Sequence, residues 1–250
     1  MDQHATPKSP ELQYVADRRR LLRAGAALPL LGVAGLSMLP AIAFPAALTQ
    51  AQRDAMTPDD VIAMMREGNE RFRRGRARHR DSLAEQRASA AGQYPAAVLL
   101  SCIDSRAPAE RILDLGIGDV FNARVAGNIA NDDLLGSMEF ACKLAGAKVV
   151  LVMGHTACGA IKGAIDNAEL GNLTGLLAKI KPAVAATDYS GLRSAKNYEF
   201  VDRVAKKNVE LTIAAIRKGS PVLAELEAQG RIKVVGSMYK LDSGAVEFYR

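Results

Sequence analysis

The chain is short of the residues that would staple it, repeat it or commit it to nucleic acid. Three cysteines in 250 residues are too few for a disulfide scaffold. There is no internal repeat and no low-complexity tract, which excludes solenoids and arrays. The charge excess is mild, +6, and names no anionic partner. The one arginine-rich stretch, RFRRGRARHR at 71–80, interleaves a single aromatic and so offers no stacking platform for bases. It reads as a solvated, mobile connection, and no nucleic-acid partner is expected. GIGD at 116–119 lacks the third glycine of a dinucleotide fingerprint and precedes a strand, so it reads as a turn. What is present is a globular composition, 49% hydrophobic, at a length that suits one α/β domain.

The first residues are set apart. RRRLLR at 18–23 is followed by the uncharged run AGAALPLLGVAGLSMLP and then by Ala41-Ile42-Ala43. Basic, apolar and small-residue segments in that order make an export signal over residues 1–43, leaving a single domain over 44–250. Pro29 and Pro40 interrupt the apolar run, which is barely long enough to span a bilayer. A membrane contact is therefore expected only through an uncleaved leader. Arg18-Arg19, any residue, two leucines and Arg23 resemble a twin-arginine signal, which implies a periplasmic or otherwise exported protein that crosses folded.

Within 44–250, TPDDVIAMMREGNERFRR at 57–74 predicts a helix. Thr57 suits the N-cap, Pro58 the first helical position, and Asp59 and Asp60 the first turn. With the arginine stretch it forms an N-terminal helical arm over 57–80. Apolar runs at 95–101, 119–126, 148–154 and 231–240 predict strands, and AVEFYR at the end predicts an edge strand. Helical patterns at 134–146 and 198–217 lie among them, the latter with Val201, Val204, Val209 and Ile213 on one side. Strands separated by helices predict a central, mostly parallel sheet flanked by helices.

Two cysteines stand amid charged residues: SCIDSR at 101–106 and GHTACGA at 154–160. Cys102 ends the first predicted strand; His155 and Cys158 end the third. Functional groups of an open α/β sheet gather beyond the carboxyl ends of its strands, so the two segments are expected to meet. Two thiols and an imidazole suit zinc, and three protein ligands leave one position open. Asp104 is either a fourth ligand or stands beside the metal, where Arg106 can grip its carboxylate. Cys142 reads as a buried helical cysteine. His4 falls in the leader and His79 in the arginine stretch, so neither is a candidate ligand.

Cys102-x-Asp104-Ser105-Arg106 with His155-x-x-Cys158 resembles the β-class carbonic anhydrases. Glu67-Gly68-Asn69-x-Arg71-Phe72 is similar to the family's N-terminal helix, and Arg124-Val125-Ala126-Gly127-Asn128 to the stretch after its second strand. The resemblance implies one zinc per chain on Cys102, His155 and Cys158, and reversible hydration of CO2 to bicarbonate. It implies an Asp104–Arg106 dyad: paired, it leaves the fourth zinc position to water; with Asp104 swung onto the metal, the site is closed. It implies that Gln93 and the Gly159 N–H bind substrate oxygen beside an apolar wall of Phe121, Ala126 and Phe140. It implies a cleft at a homodimer interface, with dimers or dimers of dimers gripped by N-terminal helices. The allosterically inhibited branch carries a tryptophan where this chain has Leu99; together with Gln93 this resembles the branch that stays open at neutral pH, although Arg124 is shared with the inhibited branch. Hydrolysis of CS2 or carbonyl sulfide would use the same motifs; a structural zinc site would need four fixed ligands and no Asp104–Arg106 dyad.

Overall fold

The uninterrupted apolar runs fold as strands. In the computed structural model, which describes residues 47–249, β1 (Ala97–Ser101), β2 (Val120–Arg124), β3 (Val149–His155) and β4 (Lys233–Tyr239) lie parallel in the order β2-β1-β3-β4. β5 (Val246–Tyr249) adds to the β4 edge antiparallel. The proposed leader lies outside the described residues. Every residue of β1 and β3 is buried, as expected of parallel strands covered on both faces. The ladder starts past Pro95, which has no N–H to donate, and β2 stops short of Gly127, whose φ of +70° turns the chain into a 3-10 turn at Ala126–Asn128.

Helices cover both faces. On one side lie α1 (Gln50–Ala55), α2 (Pro58–Arg73) and α4 (Ala109–Ile112), with α3 (Ser82–Ser89) between the last two in the chain. On the other lie α5 (Asp132–Glu139), α6 (Gly159–Ile165), α7 (Gly171–Ala178), α8 (Lys181–Ala186), α9 (Tyr198–Gly219) and α10 (Pro221–Ala228). Asn197 caps α9, and Val201, Val204, Val209 and Ile213 are all buried, as their period predicts. The helix predicted at 134–146 is in two parts: α5, capped by Asn131, gives way to a π turn at Phe140–Leu144. That turn carries Cys142, buried as expected, its thiol pushed up to about 12 by burial.

The Thr57 hydroxyl accepts from the Asp60 N–H and the Asp60 carboxylate accepts from the Thr57 N–H, closing a capping box on α2. Val61 and Met65 are fully buried against the chain's own sheet. Gly68 comes so close to Leu113 that a Cβ there would lie 1.9 Å from its carbonyl oxygen. Asn69 donates to the carbonyls of Ile112 (3.1 Å) and Gly244 (2.9 Å) and accepts from the Val246 N–H (2.9 Å). The arm therefore docks on its own domain through the residues that resemble the family helix. Residues 73–79 of the arginine stretch are exposed, as expected of a solvated connection, but its two ends are anchored. Arg80 is held by Glu85 (2.8 Å) and the Asp114 carbonyl (2.7 Å), and Arg71 by the Asp114 carboxylate (2.6 Å), because both acids are buried and need cations.

β5 pairs only with Gly236–Tyr239. Farther back along that edge, the Val234 N–H donates to Glu227 (3.1 Å) and the Val234 carbonyl accepts from Arg217 (3.2 Å). Arg217 and Glu227 are themselves joined by two hydrogen bonds, of 2.7 and 2.8 Å.

Candidate metal centre

Parallel register decides what meets. Ser101 pairs with Met153 and with Arg124, so the chain leaves β1 and β3 at the same rim. Cys102 follows β1, His155 closes β3, and Cys158 stands at the N-cap of α6. Their donor atoms all lie within 4.8 Å of one another, and all three residues are buried. The two sulfurs are 4.0 Å apart. Around a tetrahedral zinc with Zn–S of about 2.3 Å, two sulfurs stand about 3.8 Å apart.

The three residues between His155 and the helix make an unusual turn. Ala157 has φ +55°, in the left-handed region that a non-glycine residue seldom occupies. Three bonds hold it: the Thr156 N–H to the Tyr239 carbonyl (3.0 Å), the Leu241 N–H to the Thr156 hydroxyl (3.0 Å), and the Ala157 N–H to the Asp202 carboxylate (2.8 Å). His155 Nδ1 lies 2.9 Å from the Thr156 carbonyl, an acceptor, so Nδ1 carries the proton. Nε2 is left with its lone pair, buried and without a hydrogen-bond partner. A buried nitrogen with a free lone pair beside two thiols is the donor set of a zinc site, and the residues present fit that metal.

The electrostatics agree. Cys102 is held far below the ordinary thiol value by the Cys158 thiol, against the effect of burial, with His155 and the Gly127 N–H (3.4 Å from its sulfur) assisting. Cys158 is pushed up by the same contact and by burial. Burial lowers His155, yet the Cys102 thiolate outweighs it and raises the imidazole.

Asp104 stands at the rim of this group. Its Oδ2 is 3.7 Å from His155 Nε2. Arg106 grips it from Nε (3.0 Å) and Nη2 (2.8 Å), and the Arg106 N–H adds a third bond (2.9 Å). These bonds from Arg106 hold the carboxyl well below the usual carboxylate range. Arg124, on β2, braces the loop by donating to the carbonyls of Cys102 (2.9 Å) and Asp104 (2.7 Å). Leu99 is fully buried on the opposite face of the sheet, among the residues that pack on α2.

The remaining candidates divide. Gly159 opens α6, where first-turn N–H groups lack helical acceptors, and the space its Cβ would fill is open. Ala126 sits in the 3-10 turn beside Gly127. Phe121 and Phe140 meet edge to face, centroids 6.0 Å apart, on the wall of a cavity of about 670 Å3 that none of the three metal donors lines. Gln93 is not brought to the site within one chain. It precedes β1, with the whole strand between it and Cys102, and lines a separate cavity with Ser89 and Gly118.

Sequence reasoning did not reach Asp202 and Asn208, both on α9. Asn208 donates to the Gly127 carbonyl (2.7 Å). It had a signal, being a polar residue in the buried stripe of Val201 and Val204; half-buried Asp202 had none.

A parallel α/β domain with a Cys-His-Cys donor set and a carboxylate–guanidinium pair at its strand ends defines a class of metal-dependent enzyme. The profile described as carbonic anhydrase matches residues 97–246. Carbonic anhydrase 2 of Mycobacterium tuberculosis is 36% identical over 186 residues, spanning 72% of this chain and 87% of that one. Among solved structures, the β-carbonic anhydrase CafA of Aspergillus fumigatus is 32% identical, with a TM-score of 0.58 over 64% of this chain and 78% of that one. A tetrameric β-carbonic anhydrase of Sordaria macrospora is 28% identical, with a TM-score of 0.56 over 64% and 82%. The chain belongs to the carbonic anhydrase family and is an enzyme of its β class.

Proposed function

We propose that the protein catalyses the zinc-dependent, reversible hydration of carbon dioxide to bicarbonate and a proton. The observation that carries this is the buried, unpartnered Nε2 of His155 facing two thiols, with Asp104 beside it and locked on Arg106. Zinc on Cys102, His155 and Cys158 would supply an acidified water, its pKa brought from about 15.7 toward 7. Asp104, kept ionised by Arg106, is an acceptor only. It takes a hydrogen bond from the nucleophile's O–H and so turns a lone pair toward the carbon of CO2. The Gly159 N–H meets negative charge that grows on the substrate oxygen. Ala126 supplies apolar surface suited to a substrate with no net dipole; Phe121 and Phe140, which line a cavity apart from this chain's donors, are given no part in its own site.

The working unit in this proposal is a homodimer, or a dimer of such dimers. The remoteness of Gln93 from its own chain's donors supports it, since this glutamine can serve only a partner's site. So does the tetramer named for the Sordaria protein. The proposed location is periplasmic or otherwise exported, supported by the arginine pair, the apolar run and Ala41-Ile42-Ala43. The test is stopped-flow CO2 hydration on metal-quantified protein lacking residues 1–43, beside Asp104→Ala. One zinc per chain, fast hydration and a loss of about a hundredfold or more in kcat with zinc retained are expected. Full zinc loading without hydration would refute the function.

A further inference from the structure

Two turns that border the metal centre share one support. The first joins β3 to α6 and carries His155 and Cys158, with Ala157 left-handed between them. The second is the Ala126–Asn128 turn, whose Gly127 N–H reaches the Cys102 sulfur. Both are backbone conformations that cost energy: Ala157 at φ +55°, and Asn128 at +43° next to Gly127 at +70°. Helix α9 touches both. Asp202 accepts the Ala157 N–H at 2.8 Å, and six residues on, Asn208 donates to the Gly127 carbonyl at 2.7 Å. Along this stretch the helix packs tight against β3. A Cβ on Gly154 would meet a Val209 methyl at 2.8 Å and the Ala205 carbonyl at 3.6 Å.

We propose that Asp202 is a positioning residue of the metal centre: from the rigid face of α9 it holds the Ala157 N–H, and thereby fixes the left-handed turn that aims His155 and Cys158 at one point. This rests on the reading of Cys102, His155 and Cys158 as the zinc donors. Asp202 touches none of the three, so its part is to set geometry, not to coordinate. A charge-assisted hydrogen bond to a backbone donor suits this purpose, because it is strong and directional and its acceptor cannot rotate away from a packed helix. With the bond removed, Ala157 relaxes toward the right-handed region, and the imidazole and the thiol no longer converge. A carboxamide offers an oxygen at the same place and should preserve the turn without the charge. A glycine at 157 takes a positive φ without strain and should need the bond less.

The experiment measures zinc release from the full chain into excess chromophoric chelator, with the absorption spectrum of the cobalt(II)-substituted protein as a second readout. Asp202→Ala is expected to release zinc about tenfold faster than wild type, with an altered cobalt spectrum and an unchanged far-UV circular dichroism spectrum. Asp202→Asn should stay within about threefold of wild type, and Asp202→Ala with Ala157→Gly should recover much of the loss. Asp202→Ser, whose hydroxyl stops short of Ala157, gives the same reading should the alanine variant not fold. Release from Asp202→Ala at the wild-type rate with an unchanged cobalt spectrum would overturn the proposal. So would an Asp202→Asn variant as defective as Asp202→Ala, because the charge and not the bond geometry would then be at work. A wild-type chain that binds no zinc would refute the metal reading itself, an outcome distinct from either.

Discussion

Gln93 offers a sharp test of how the enzyme is assembled. Nine positions separate it from Cys102, and the five residues of β1 alone span roughly 16 Å, far beyond the reach of one side chain. A role for Gln93 at the metal centre therefore requires a second chain. Gln93→Ala should lower kcat/KM about three- to tenfold, the worth of one uncharged hydrogen bond to substrate. Asp104→Ala should be nearly inactive. The decisive sample is a mixed dimer, made by co-expressing the two variants with different tags and purifying through both. If Gln93 acts across the interface, one site of the pair has an intact Asp104 and receives an intact glutamine, and the other has neither. The mixed dimer should then reach about half the wild-type rate per dimer. If Gln93 acts within its own chain, the only live centre lacks its glutamine, and activity falls to roughly a twentieth to a sixth of wild type. The lower value would refute the interface reading; an unimpaired Gln93→Ala would refute any role for Gln93.

Three further outcomes follow from other parts of the molecule. Gly68→Ala should destabilise the domain by about 3 kcal/mol or more in urea, because a Cβ at 1.9 Å from the Leu113 oxygen forces α2 off the sheet; unchanged stability would contradict that packing. Burial pushes the Glu227 carboxyl up, but the bonds from Arg217 and the Val234 N–H outweigh it, so its folded value lies below the ordinary 4.5. Its contribution is then present above pH 4.5 and lost as pH falls through the folded value: Glu227→Gln should cost about 1 kcal/mol near neutrality, and the gap should close in acid. With Leu99 in the core and Arg124 spent on the Cys102 and Asp104 carbonyls, rates at pH 7 should fall hyperbolically with bicarbonate; a sigmoidal fall would show the inhibited branch.

The parts legible in the sequence were those with local signatures. Val149–His155 announces a buried strand by composition, Thr57-Pro58-Asp59-Asp60 announces a helix start, and Cys102, Asp104 and Arg106 lie close enough for their chemistry to be read as a unit. That His155 and Cys158 would join them followed from parallel strands sharing a rim. The helices between 159 and 186 went unread because each is six to eight residues long, too short for a 3.6-residue period to show. The π turn at Phe140–Leu144 preserves an apolar pattern while shifting its phase, so it looked like continuing helix. Arg80 looked solvated because Asp114, whose carbonyl it binds, lies 34 positions away. Asp202 is invisible for the same reason: its partner is a backbone N–H, and backbone donors leave no trace in composition.

The pairing of Arg217 and Glu227 with Val234 has a consequence for life in a crowded solution. An unpaired strand edge is a template on which another chain can add, and such addition leads to open-ended aggregation. Where β5 stops, two side chains supply the donor and the acceptor that an incoming strand would have offered, so Val234 has nothing left to recruit with. The flank of the sheet is insulated by a salt bridge rather than by more chain. Because Glu227 loses its charge in acid, that insulation should weaken as pH falls through its folded value.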